Sequence, residues 1–225
     1  MVPVYNEACS IARTLSGLAA YRAKGHRVVV VDGGSTDSTS DLAAPLADRV
    51  ILSGKGRALQ QNCGAKGAGA EVLLFLHADT ELPEHADELI IQALSEGKLW
   101  GRFGVAIAGR LRWLKVISAL MNFRSRLTGI ATGDQAIFVR KSVFDQVGGF
   151  AEIPLMEDID LSRRLKRFGR PACLRSKVTT SGRRWEHDGL WRTVILMWKL
   201  RFLFLLGVSP AKLAKMYRDT RDAVA

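Results

Sequence analysis

Residues 28–37, VVVVDGGSTD, decide the fold: four valines run directly into Asp32, two glycines and a Ser-Thr-Asp helix start. An unbroken β-branched run of this kind predicts a strand buried on both faces, as in a parallel sheet. Ligands of open α/β sheets bind just outside the carboxyl ends of the strands. We therefore expect Asp32 at the ligand edge, and a turn or capping aspartate is the alternative.

The surrounding pattern alternates strands and helices and predicts an α/β fold with a mostly parallel sheet flanked by helices. We expect one domain over residues 1–188 and a C-terminal extension of amphipathic helices over residues 189–225. The predicted strands are residues 2–4, 28–31, 50–52, 72–76, 100–108 and 135–140. The predicted helices are residues 7–23, 57–68, 83–94, 111–127, 157–168 and 190–206, with a short helix capped by Thr36 or Asp37.

Composition limits the class of protein. The chain has 225 residues, 48% of them hydrophobic, and a net charge of +11, which predicts an anionic partner. We expect no nucleic acid partner, because the sequence lacks a recognition-helix pattern and basic residues interleaved with aromatics on a sheet face. Three cysteines without a CxxC pair and the lack of a secretory signal predict a cytoplasmic location.

Two further segments carry polar groups at places where ligands bind. In LLFLHADT, residues 73–80, His77 and Asp79 follow an apolar strand on the same side, which suits Mn²⁺ or Mg²⁺. A histidine that only donates a hydrogen bond is the alternative. In residues 53–65, Lys55 and Arg57 stand in a Gly-rich turn at a helix start, where anions are favoured. A solvated basic turn is the alternative.

The segment MEDIDLSRRLKRFG, residues 156–169, places Glu157, Asp158 and Asp160 in the first turn of a helix. The helix dipole alone favours acids there. Asp158 is also a candidate general base that accepts a proton from an acceptor hydroxyl.

Residues 191–210 are strongly apolar, but Lys199 and Arg201 at their centre argue against a membrane span. Packing on the core is the first interpretation. The alternative is an interfacial role shared with the basic amphipathic residues 110–117, which would hold the protein on the inner face of an anionic membrane.

The ordered motifs together resemble a family 2 glycosyltransferase of the GT-A fold, up to about residue 188. Within that family, residues 76–80, 120–138 and 180–186 are most similar to the arsenosugar-biosynthesis-type subgroup. The motifs are VPVYNEA (residues 2–8), VDGGSTD (31–37), KGRALQQNCGA (55–65), FLHADT (75–80), GDQAIFVR (133–140), GGF (148–150) and MEDIDLSRRLKRFG (156–169).

The resemblance implies roles for individual residues. Asp79 matches the last acid of the family's DxD motif, which holds the metal ion on the diphosphate, and Asp158 matches the carboxylate that acts as base. Asp32 would bind the nucleobase or its ribose. The remaining donor-side residues are Pro3, Tyr5, Glu7, Lys55, Arg57 and His77. The candidates on the acceptor or product side are Asp134, Gln135, Glu157, Arg184 and Trp185, and a plain pair of residues at a strand start is the alternative for Asp134 and Gln135.

The chain departs from the family pattern at three places. His77 replaces the first acid of DxD, which affects metal affinity or choice, and His187 is a further candidate ligand whose alternative is a surface group. Ser181 stands where processive members have the glutamine of QxxRW, so we expect one sugar per reaction. The first strand is short, which suggests a misplaced start or a truncated chain.

From the resemblance we expect an enzyme that transfers one sugar, with inversion, from a UDP-linked donor to a hydroxyl acceptor. The acceptor is a small molecule or a lipid-linked one, and Mn²⁺ or Mg²⁺ is the cofactor. One alternative is a nucleotidyltransferase that releases pyrophosphate, against which the placement of Glu157 and Asp158 argues. The other is a nucleotide-binding or membrane-binding module without turnover.

Overall fold

The computed structural model describes residues 1–187 and 189–222, without the side chains of Arg184 and residues 219–222. The strands are β1 (Val2–Val4), β2 (Val29–Asp32), β3 (Arg49–Leu52), β4 (Val72–Phe75), β5 (Thr80–Glu81), β6 (Trp100–Ala108), β7 (Ile137–Arg140) and β8 (Ala172–Ser181). The helices are α1 (Ala8–Ser16), α2 (Ala19–Ala23), α3 (Thr39–Ala43), α4 (Arg57–Ala65), α5 (Ala86–Ser95), α6 (Trp113–Thr128), α7 (Lys141–Gln146), α8 (Glu157–Leu165), α9 (Arg183–His187), α10 (Leu190–Leu205) and α11 (Pro210–Asp222).

The valine run forms β2, and all four of its residues are buried. Strand β2 lies between β1 and β3, parallel to both, with Asp32 opposite Val4 on one side and Leu52 on the other. The prediction of a buried parallel strand that ends on a carboxylate is therefore confirmed.

The remaining strands form a five-stranded sheet in the order β4-β7-β6-β8-β5. Met1 joins it to the first sheet: its ammonium group donates to the carbonyl of Leu74 at 2.9 Å, and its own carbonyl accepts from the amide of Leu76 at 3.0 Å. Burial lowers the pKa of the Met1 ammonium group to about 5. The two sheets thus continue into each other.

Helices cover both faces of the second sheet. Phe138 and Ile137, neighbours on β7, belong to different hydrophobic clusters, because successive side chains of a strand point to opposite faces. One cluster includes Leu15, Ile90 and Leu114 from α1, α5 and α6, and the other draws on α4, α7 and α8. The predicted α/β architecture, with a parallel sheet flanked by helices, is confirmed.

Several details differ from the sequence prediction. The second sheet is mixed, since β7 runs antiparallel to β4 and β6, and β5 runs antiparallel to β8. Apolar runs do not encode strand direction, so the pattern alone did not show this. The helix predicted over residues 7–23 is two helices, α1 and α2. The strand predicted from residue 135 begins at Ile137, because Gly133–Gln135 form a 3₁₀ turn with a Thr132/Gln135 capping box.

The C-terminal helices pack on the start of α8. Leu200 of α10 and Leu213 of α11 are fully buried in a cluster with Met156 and Ile159. None of the described helices is both long and apolar enough to cross a bilayer. The separation of residues 189–225 as an extension stays a prediction, and residue 188 at its boundary lies outside the described residues.

Candidate active site

A cleft of about 1100 Å³ opens at the carboxyl ends of β1 and β4 and extends between α6 and α10. It brings together residues that the sequence analysis selected from widely separated segments. The predicted site residues that line it are Pro3, Tyr5, Glu7, Lys55, Arg57, His77, Asp79, Asp134, Trp185 and His187.

At the β1 end of the cleft, aromatic and charged groups lie side by side. The Lys55 ammonium group stands 3.8 Å from the centre of the Tyr5 ring, a cation–π distance. Glu7 lies 3.7 Å from a terminal nitrogen of Arg183, measured between the charged atoms. The buried Gln60 amide donates to the carbonyls of Val4 and Val31 at 2.7 Å each and so fixes the edge of the sheet beneath these groups.

Asp32 is at the predicted strand end, but it is 1% exposed and is not among the residues that line the cleft. One of its oxygens accepts from the amide and the hydroxyl of Ser35, and the other accepts from the hydroxyl of Ser40. Burial alone would raise the pKa of Asp32, but these hydrogen bonds hold it below its usual range. In this structure Asp32 holds the loop that follows Gly33 and Gly34 through its hydrogen bonds to Ser35 and Ser40.

At the centre of the cleft, a chain of contacts links the two predicted catalytic segments. His77 Nδ1 lies 3.2 Å from Asp134 Oδ1, and the neighbouring amide of Gly133 donates to Asp158 Oδ2 at 2.9 Å. The other oxygen of Asp158 accepts from the amide of Ile159 at 2.7 Å. Both oxygens of Asp158 are therefore oriented by backbone groups, although Asp158 itself does not line the cleft.

Glu157, next to Asp158, is buried. Burial is the main cause that raises the pKa of its carboxyl group, and the negative charge of Asp158 is the second. Solvent reaches Arg57 through the cleft. Enclosure by protein lowers the pKa of Arg57, but the carboxylates of Glu157 and Asp134 outweigh it and raise that pKa above its usual range. Arg57 thus stays cationic where acidic groups converge.

The possible metal ligands in the cleft, Asp79 and His77, fit a divalent cation that is also coordinated by a phosphorylated ligand. Among the described residues, no three His, Cys, Asp or Glu side chains form a metal site by themselves. Magnesium is commonly held by one or two carboxylates together with substrate phosphates and water. Asp79, with His77 two residues before it, lines the cleft and supplies such an incomplete set, and His187 lines the same cleft.

Of the other residues predicted on the acceptor side, Gln135 is buried away from the cleft, whereas Trp185 lines it. Gln135 is fully buried, where its oxygen accepts from the amide of Thr132 and its nitrogen donates to Asn122, so it holds the loop after α6. Trp185 lines the cleft. The side chain of Arg184 lies outside the described residues.

Two arginines of the site were not selected from the sequence. Arg124 on α6 and Arg201 on α10 both line the cleft. Each has buried guanidinium nitrogens without a hydrogen-bond partner: Nε and Nη2 of Arg124, and Nε of Arg201. The sequence shows each arginine two residues from another basic residue in a largely apolar helix, but it did not show that both side chains line one cleft.

Backbone strain also concentrates here. Asn6, Ala136 and Met156 have φ of 55°, 46° and 69°, in the left-handed region that non-glycine residues rarely adopt. Asn6 directly follows Tyr5, Ala136 follows the turn that contains Asp134, and Met156 directly precedes the Glu157–Asp158 pair. Strained residues of this kind cluster at functional sites.

Comparison with known proteins identifies the class. The model of the family described as glycosyl transferase family 2 matches residues 1–151, more than half of the chain. The chain belongs to glycosyltransferase family 2.

Individual relatives are distant. The poly-β-1,6-N-acetyl-D-glucosamine synthase of Staphylococcus aureus strain MSSA476 is 23% identical over 183 residues, which cover 73% of this chain and 44% of that protein. The chain therefore spans less than half the length of this curated relative.

Solved structures agree on the GT-A fold. S. aureus TarS in complex with UDP superposes with a TM-score of 0.63 at 19% identity, covering 85% of this chain and 62% of that one. The mannosyltransferase PcManGT from Pyrobaculum calidifontis, in complex with GDP-Man and Mn²⁺, also gives 0.63 at 19% identity and covers 95% of this chain and 66% of that one.

Proposed function

We propose that the protein transfers a single sugar, with inversion and with the help of Mn²⁺ or Mg²⁺, from a nucleotide-diphosphate sugar to an acceptor hydroxyl. The observation that carries this proposal is the cleft of a family 2 chain that His77, Asp79, Arg57 and Asp134 line together. His77 contacts Asp134, and the neighbouring amide of Gly133 binds Asp158. The complexes of the two related structures with UDP and with GDP-Man support a nucleotide-sugar donor, with UDP as the first choice. We further propose that the protein belongs to the arsenosugar-biosynthesis-type subgroup, which the motifs at residues 76–80, 120–138 and 180–186 support.

The chemistry follows from where charge develops. As the bond between the sugar and the diphosphate breaks, negative charge grows on the leaving nucleotide. Lys55 and Arg57 supply positive charge in the cleft for that group. A divalent ion held by Asp79 and His77 would neutralise the same oxygens. Pro3, Tyr5 and Glu7 line the part of the cleft that we assign to the nucleotide.

Asp158 is the proposed base. Its two oxygens already accept backbone hydrogen bonds from Gly133 and Ile159, which fix the direction of the carboxylate. An ionised carboxylate oxygen has a second lone pair, so it can still accept the proton of an acceptor hydroxyl. Asp134 and Trp185 line the cleft, where an acceptor would contact them.

The outer faces of α6 and α10 suit the surface of an anionic membrane. Trp113 and Trp191 pack with their ring centres 5.8 Å apart, and both are more than half exposed. Residues 109–133 and 189–218 contain no acidic residue. Apolar helix faces flanked by cations bind anionic bilayers. The exposed apolar residues of these two faces that do not line the cleft are Trp113, Val116, Trp191, Ile195, Phe202 and Leu205.

A nucleotide-release assay with a panel of UDP-, GDP- and CDP-sugars in Mn²⁺ tests the transfer. We expect release from one donor, a loss of more than 100-fold in Asp158→Asn, and little change in Asp160→Asn, which removes a neighbouring carboxylate that is paired with Arg164. Release of pyrophosphate from a nucleoside triphosphate would instead establish a nucleotidyltransferase. Nucleotide binding without any release would establish a non-catalytic module.

Sedimentation with vesicles of phosphatidylglycerol and phosphatidylcholine tests the membrane surface. Removal of each half-exposed indole by Trp113→Ser or Trp191→Ser should weaken binding by about 2 kcal/mol, from the apolar area lost. The control Ile91→Ser removes an equally exposed apolar side chain from α5 and should leave binding unchanged. Equal effects of all three changes would contradict a specific surface.

A further inference from the structure

We propose that Arg124 and Arg201 bind a phosphate group of the acceptor, and that the apolar walls of the cleft between α6 and α10 hold an apolar chain attached to that phosphate. This proposal rests on the proposed function, because it names the class of acceptor that the transfer would use: a lipid-linked phosphate whose hydroxyl-bearing end lies towards Asp158.

The first observation is the unused hydrogen-bonding capacity of the two arginines. Three buried guanidinium nitrogens, two on Arg124 and one on Arg201, have no partner. A buried donor that is left unpaired costs free energy comparable with its desolvation, more so when it carries charge. Both side chains line the cleft, so a ligand in the cleft can reach them.

The second observation is electrostatic. Burial first and the charge of Arg201 second lower the pKa of Arg124 to about 10, and burial lowers the pKa of Arg201. Both groups remain cationic at neutral pH, so two like charges are held close together in a poorly solvated place. A phosphate between them would relieve the repulsion, and the planar guanidinium matches phosphate oxygens in paired hydrogen bonds.

The third observation is the apolar wall beside these charges. Leu120, Phe123 and Leu127 form one stripe along α6, and they line the cleft although they are 55%, 67% and 68% exposed. Trp198 of α10 is 67% exposed and faces the same cleft. A purely polar acceptor would leave this surface in water, whereas an apolar chain would cover it.

Arg124 and Arg201 belong to different helices from the proposed donor groups, although the same two carboxylates, Asp134 and Asp158, act on Arg57 and on both of them. Lys55 lies in the loop before α4 and Arg57 is the first residue of α4, whereas Arg124 and Arg201 come from α6 and α10. The carboxylate of Asp158 offsets part of the lowering of the pKa of both arginines. Both line the same cleft as Asp134, the residue that follows the Gly133 amide bonded to Asp158. The cleft wall that they belong to is continuous with the membrane-facing stripes, which gives a lipid-linked acceptor a direct entry.

The test measures binding of decyl phosphate, below its critical micelle concentration, by quenching of tryptophan fluorescence. Decanol and inorganic phosphate are the two comparison ligands. We expect Arg124→Gln and Arg201→Gln each to weaken decyl phosphate binding at least 10-fold. The matched controls are Arg126→Gln and Lys199→Gln, which remove the same charge from exposed positions on the same helices and should change it less than 2-fold.

Four outcomes would overturn the proposal. The first is an equal loss of decyl phosphate affinity in the control variants, and the second is decanol binding as tightly as decyl phosphate. The third is inorganic phosphate binding as tightly as decyl phosphate, and the fourth is that the Arg124 and Arg201 variants weaken UDP binding but not decyl phosphate binding. The third would indicate a soluble phosphorylated acceptor, and the fourth would assign the arginines to the donor. Arg124→Lys, which keeps the charge, replaces the glutamine variant if the latter does not fold. Failure of the wild type to bind UDP with Mn²⁺ would refute the proposed function separately.

Discussion

The contact between Gly133 and His77 gives a sharp test of how the two candidate catalytic segments, residues 77–79 and 157–158, are held together. A Cβ atom at residue 133 would lie 2.4 Å from Nε2 of His77 and 2.6 Å from Cε1, where ordinary contact begins at 3.4 Å. In Gly133→Ala the imidazole must therefore move by about 1 Å, and a displacement of this size in a catalytic constellation can reduce the rate about 100-fold. The ring then leaves Asp134, its partner at 3.2 Å.

The assay is the steady-state rate of nucleotide release as a function of Mn²⁺ concentration, with the unfolding transition measured in parallel. We expect a loss of about 100-fold in kcat/KM and a weaker response to Mn²⁺, with a small change in stability because a side chain can rotate away. Gly69→Ala is the control, since a Cβ there meets nothing within 4 Å. A Gly133→Ala variant with wild-type rate and metal response would refute the reasoning.

Three other predictions concern charge and the edge of the sheet. Burial raises the pKa of Glu157, so ionisation of this carboxyl group destabilises the folded state relative to the unfolded state. The wild type should therefore lose stability relative to Glu157→Gln as pH rises above 4.5. Urea unfolding of both proteins at pH 5 and pH 8 measures this difference. Gln60→Leu should lose about 1–3 kcal/mol of unfolding free energy, because two buried carbonyls lose their donor; an unchanged urea midpoint would contradict this. Lys55→Gln should weaken UDP binding about 10-fold by calorimetry, whereas Lys66→Gln, at the exposed end of α4, should not.

The parts of the fold that could be predicted are those with local signals. The valine run specified β2 and its carboxylate end, because burial on both faces requires an unbroken apolar segment. The direction of β7 and the pairing of β8 with β6 depend on contacts between distant segments, and no local pattern encodes them. The break between α1 and α2 was equally invisible to the periodicity of residues 7–23.

The same distinction applies to the candidate site. His77, Asp79 and Arg57 were selected because each stands next to a strand end or helix start, and the structure brings all three to one cleft. Arg124 and Arg201 were missed, because their meeting depends on how α6 and α10 pack. The involvement of Asp32 with Ser35 and Ser40 was also not visible, since the glycine loop has to fold back before these hydroxyls reach the carboxylate.

The most direct test of nucleotide-sugar binding in the cleft is a thermal-shift titration with UDP, GDP and CDP, each with and without Mn²⁺. A ligand at about 100 times its Kd adds roughly 2.7 kcal/mol of stability, enough for a clear shift. We predict a shift with one nucleotide that increases with Mn²⁺ and that disappears in Asp79→Ala. No shift with any of the three nucleotides would contradict the proposed donor site. So would an Asp79→Ala variant whose shifts equal those of the wild type both with and without Mn²⁺.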